Sequence, residues 1–196
     1  MLHTINGLPA HVLLIHVLIV LIPLGALFTV LSAVWPAAHA KLGFIAPLTC
    51  LIALIFVPIT VSAGTWLKDH QNFSGELEAR IQHHANLAGG FGWYALALFV
   101  VSAAVWWVGR GTGLNLRAAP PRPDAAADPS GAGTSGAATA TATRARTAPL
   151  ATSLPPWAVV TLAVVAVAVS ALVTFQLYRI GDAGAHAVWQ GSVSGG

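Results

Sequence analysis

The chain has 196 residues, of which 56% are hydrophobic and only 8% charged, with a mean hydropathy of +0.75. Soluble domains carry about 25% charged residues, so this chain cannot cover a water-facing surface and belongs with membrane proteins. The formal charge of +3 does not argue for nucleic acid, because five of the nine basic residues (Arg110, Arg117, Arg122, Arg144 and Arg146) crowd one stretch that reads as a topology signal.

A helix that crosses a bilayer needs about 20 mostly apolar residues. Four segments reach that length without an Asp, Glu, Lys or Arg. The first runs from about Pro9 to Val34. Ala38-His39-Ala40 imitates a signal-peptidase site after it, but no Lys or Arg precedes the segment, and its apolar run is too long for a signal peptide. It is therefore expected to remain as a first helix. The second segment covers about Leu42 to Leu67 and the third about His84 to Val108. Between them lies an expected loop from Lys68 to His83. The fourth covers about Pro156 to Tyr178. In hydrocarbon every backbone polar group must be paired within the segment, so all four are helices. The predicted fold is an all-α, four-transmembrane-helix bundle: three spans within 1–109, a linker over 110–154, and the last span with a tail over 155–196.

The linker is low-complexity Ala/Pro/Gly/Thr sequence with almost no large apolar side chains. Such a composition cannot repay its ordering entropy, and disorder is the expectation. No internal repeat is evident in the letters. Cys50 is the only cysteine, lies inside an apolar run, and is expected to be a buried thiol. Stripes of small residues mark where helices should touch: Gly25, Thr29 and Ser32 in the first span, and Ala88, Ala95 and Ser102 in the third. Trp35, Trp66, Trp106, Trp107 and Trp157 fall at span ends, as in an interfacial aromatic belt.

Lysine and arginine counts set the orientation. The N-terminus, the loop from Lys68 to His83 and the C-terminal tail share one side, with Lys68, Arg80 and Arg179. The other side holds Lys41 and the five clustered arginines. That second side is expected to be cytoplasmic, with both termini outside.

No nucleotide-binding loop, GxSxG, HExxH or CxxC motif is present, and no span carries paired carboxylates. Histidine is the exception to an otherwise bland bundle. Seven of eight (His3, His11, His16, His70, His83, His84 and His186) fall on the predicted outer side, and His39 lies opposite. His11 and His84 each stand near the start of a span, at similar depth, in line with their small-residue stripes. They are expected to face one another. His16 sits about 7.5 Å deeper and roughly 140° around from His11. Two imidazoles at one depth are suited to a haem iron or a transition metal. The bland alternative is interfacial histidines that bond carbonyls, lipid headgroups or each other.

The segments GLPAHVLLIHVLIVLIPLGAL, FIAPLTCLIALIFVPITVSAGTWL, HANL and YRIGDAGAHAVW resemble the bacterial membrane family catalogued as domain of unknown function 2231. The likeness spans nearly all the chain outside the linker, which is itself similar to the alanine-rich linkers of high-GC actinobacterial members. The resemblance implies a four-helix integral membrane domain in the bacterial plasma membrane, and no defined chemistry. The positions that match its motifs are His11, His16, His84, Tyr178, Arg179, Gly181, Asp182 and Gly184. His83 beside His84 departs from the family's single histidine and stands as an alternative ligand. Within the tail, Arg179 and Asp182 are spaced to pair with each other or with the outer loop, and Gly181 is placed to end the helix.

Two functional readings follow from the sequence. One is a structural or accessory component of the membrane that docks a protein partner, or a second copy of itself, through its small-residue faces. The other is a redox subunit that binds haem b or a transition metal through His11 and His84, with His16 as a further candidate. A transporter would place charges near the midplane, and the spans carry none.

Overall fold

The structure is a computed structural model that describes residues 4–5, 8–111 and 154–189. A two-residue hairpin, β1 (Thr4–Ile5) against β2 (Leu8–Pro9), precedes six helices. These are α1 (Ala10–Val34), α2 (Pro36–Leu42), α3 (Ile45–Asp69), α4 (Glu76–Gly89), α5 (Phe91–Gly111) and α6 (Pro156–Trp189). The expected linker over 110–154 lies outside the described residues except at its two edges.

Four helical stretches are long and apolar enough to cross a membrane: Ala10–Val34, Ile45–Asp69, Glu76–Arg110 and Pro156–Trp189. This is a multi-pass membrane protein. At 1.5 Å per residue, 25-residue α1 and α3 are each about 37 Å long, enough for a hydrocarbon core of about 30 Å with a margin at either end. Pro23 and Pro58 lie inside α1 and α3 without ending them. Pro36 opens α2, where its missing N–H removes no helical bond.

The four long rods form a ring. α1 packs on α3 and α6, and α5 packs on the same two, so α1 and α5 stand across a diagonal; α4 leans on α6. The interior follows one spacing in every rod. Its inward residues are Leu18, Ile22, Gly25, Thr29 and Ser32 on α1, and Ala46, Cys50, Ala53, Val57 and Thr60 on α3. On α5 they are Phe91, Ala95, Leu98, Ser102 and Val105, and on α6 Ala166, Ser170, Val173, half-buried Leu177 and Ile180. Steps of four, three, four and three residues recur in all four, the seam of a left-handed bundle. The small-residue stripes expected from the sequence thus meet inside this chain. Thr29 and Ser102 are both buried there, and Thr29 Oγ1 approaches Cys50 Sγ at 3.8 Å.

Three expectations at the histidine end need correction. The stretch before His84 is not all loop, because α4 begins at Glu76. Gly75 makes the entry turn at φ 63°, a conformation glycine tolerates and side chains resist. Glu76 and Glu78 then favour the first turn, and Arg80 closes on Glu76 at 2.7 Å one turn later. Nor does Gly181 end the last helix: α6 runs on to Trp189. An interior glycine costs about 1 kcal/mol, and burial of Ile180 and Ala187 on either side offsets it. Arg179 and Asp182 do not pair. Arg179 donates to Gln176 Oε1 at 3.1 Å, and Asp182 meets His186 at 3.5 Å.

Candidate functional site

His11 stands seven residues before the first interior position of α1, and His84 seven before that of α5. Two turns of helix therefore carry both imidazoles to the same level on the diagonal of the bundle. Their ring centroids are 6.4 Å apart, with planes at 82°. Both residues are half-buried.

Each ring is held the same way. His11 Nδ1 lies 2.9 Å from the Thr60 carbonyl on α3, and His84 Nδ1 lies 2.9 Å from the Ile180 carbonyl on α6. A carbonyl only accepts, so Nδ1 carries a proton in both rings, and in the neutral form of each ring Nε2 is the nitrogen with the lone pair. Four residues beyond each carbonyl is a glycine against which the ring rests. A β-carbon on Gly64 would come within 2.8 Å of His11 Cε1 and Nδ1, and one on Gly184 within 3.1 Å of the same atoms of His84. The pairs α1–α3 and α4/α5–α6 are thus two copies of one arrangement: histidine, interior seam, carbonyl and glycine seat at matching intervals. This repeat was not visible in the letters, because the equivalent residues differ, Thr60 against Ile180 and Cys50 against Ser170. The shared Ala-Gly of Ala63-Gly64 and Ala183-Gly184 is the one signal that could have revealed it.

The other candidates are elsewhere. His16 is exposed and bonds the Val12 carbonyl of its own helix at 2.6 Å, pointing away from the pair. His83 is exposed on the flank of α4, and Tyr178 is exposed on α6. His70 stacks on Trp66 with centroids 4.3 Å apart. His39, at the opposite end, bonds the Ser32 carbonyl at 3.2 Å, and its ring fills the notch at Gly109. His3 is outside the described residues. Among the described residues no three His, Cys, Asp or Glu side chains gather closely enough to hold a metal ion. The donor set at the diagonal is two imidazoles.

Beneath the pair the interior is apolar, with Leu18 and Phe91 two turns inward and Val57 and Leu177 between them. Comparison with known protein families, characterised proteins and solved structures gave no match.

Proposed function

We propose that this chain is a haem-binding redox subunit of the membrane, with His11 and His84 as the residues that would hold the iron. The observation that carries the reading is that both Nδ1–H groups are tied to main-chain carbonyls. That contact fixes the tautomer, orients the ring and raises the basicity of the free nitrogen, as in histidines that ligate metals. Ligand count separates haem from a bare ion. Zinc takes three or four protein ligands, whereas haem iron already has four ring nitrogens and takes its remaining two from the protein. Bound there, haem would supply one-electron transfer. The chain's own part is to orient two imidazoles on fixed carbonyls and to place an apolar interior of Leu18, Val57, Phe91 and Leu177 beneath them.

The accessory-component reading rested on small-residue faces open to a partner. Gly25, Thr29, Ser32, Ala95 and Ser102 are buried between helices of this same chain, so a docked partner would use other faces of the bundle. We further propose that the histidine end faces outward from the bacterial plasma membrane and that the arginine-rich stretch is cytoplasmic, on the lysine and arginine count.

The test is an absorption spectrum of the full chain purified in mild detergent after growth with haem precursor. A Soret band at near-stoichiometric haem is the expected result. Protein that stays colourless after such growth and after reconstitution with haemin overturns the reading.

A further inference from the structure

At the histidine end a groove of about 550 Å³ separates α4 from α6. Its walls carry Glu76, Arg80 and His83 from α4, and Arg179, Asp182 and His186 from α6. His83 and Arg179 each lie one residue, or about 100° of helix, from His84 and Ile180, which turn inward, so the groove opens on the flank of the bundle. We propose that it binds the phosphate of a membrane phospholipid, with Arg80 and Arg179 as the two cationic contacts.

Position is the first argument. Arg80 stands one turn before His84, where the apolar part of the third span begins, and Arg179 directly follows the apolar part of the last span. Both guanidinium groups therefore belong at headgroup level, where arginine meets lipid phosphates. Charge is the second. Among the described residues, the hydrogen-bond partner of Arg179 is the neutral Gln176. Arg80, whose own side chain is 28% exposed, is held by Glu76, whose side chain is 81% exposed; a carboxylate so open to solvent is readily exchanged for another anion. His186 Nδ1 bonds the Asp182 main-chain carbonyl at 3.0 Å and lies 3.5 Å from its carboxylate. A phosphate between two arginine forks gains charge-assisted, two-pronged bonds that neither present partner matches.

Continuity along α6 points to a lipid in preference to a free anion. One and two turns inward from Arg179 on the same stripe are Phe175 and Leu172, 58% and 51% exposed. A headgroup seated on the arginines would lay an acyl chain along them. Leu87 and Ala183 give the groove an apolar floor that suits a glycerol backbone better than a hydrated ion.

The experiment uses the full chain, delipidated in detergent and titrated with dioleoylphosphatidylglycerol, with bound lipid counted by native mass spectrometry. Parallel arms use dioleoylglycerol, which has the tails without the phosphate, and inorganic phosphate as competitor. Wild type should hold one phosphatidylglycerol and release dioleoylglycerol. R80Q/R179Q should weaken lipid binding by about tenfold or more, since each lost bond is to a charged group. E76Q, which frees Arg80, should bind more tightly, a gain that misfolding cannot produce. K68Q, outside the groove, should match wild type. Equal binding by wild type and R80Q/R179Q overturns the proposal, as does displacement of the lipid by millimolar inorganic phosphate.

Discussion

A β-carbon on Gly64 would lie 2.8 Å from both Cε1 and Nδ1 of His11, closer than carbon atoms pack. Gly64→Ala must therefore push the imidazole off the Thr60 carbonyl. Overpacking of this kind costs about 1–3 kcal/mol, and thermal unfolding in detergent should show the loss. Gly184→Ala, where the approach is 3.1 Å, should cost less. Gly181→Ala meets no atom within 4 Å and should stabilise α6 by about 0.5–1 kcal/mol. If all three alanines behave alike, the glycines are not seats for the rings.

The histidine variants separate ligand from bystander. On the haem reading, His11→Ala and His84→Ala should each abolish the haem spectrum of the wild type, because each removes one of the two imidazoles that would hold the iron. His16→Ala, His39→Ala and His83→Ala should leave it unchanged, since these side chains face their own helix, the opposite end and the flank. A spectrum that survives His84→Ala but not His83→Ala would exchange the roles of those neighbours.

Ser102 offers a stability test with the opposite sign from most core substitutions. Its hydroxyl is buried with no hydrogen-bond partner among the described residues. It lies near the Cys50 thiol, close enough to interact but not to make a well-formed bond. Removing an unsatisfied hydroxyl relieves a desolvation cost of about 1–3 kcal/mol and leaves only a small void. Ser102→Ala should be neutral or stabilising by thermal unfolding. A clear drop in stability would mean that a buried water satisfies the hydroxyl in the folded protein.

Orientation has a direct test in reporter fusions. Alkaline phosphatase, which folds only outside the cytoplasm, should be active when fused after Gly196 and inactive when inserted near Gly131. The reverse pattern would turn the histidine end toward the cytoplasm and place any redox partner there.

Length and apolarity alone made the four spans legible, since only helices satisfy the backbone in hydrocarbon. His11 and His84 were legible as a pair because each stands at the start of a span that enters from the same side. What held them was not legible. The acceptors at Thr60 and Ile180 are main-chain carbonyls, which any residue supplies, and a glycine seat is hard to tell from a helix terminator until its neighbour is known. The polar run from Glu76 to Gln82 was read as loop because hydropathy detects burial, and an exposed helix held by charge pairs and propensity carries no such signal.

The matched halves also have a bearing on assembly. α1 with α3 supplies one imidazole and one carbonyl–glycine seat, and α4/α5 with α6 supplies the other set. Neither hairpin owns a complete ligand pair. On the haem reading, two separate polypeptides divided within the stretch between Lys68 and Gly75 would be colourless alone and would gain the pigment only on reunion in the bilayer. Colour would then count correctly assembled molecules, and the chain would serve as its own reporter of how two helical hairpins find each other in a membrane.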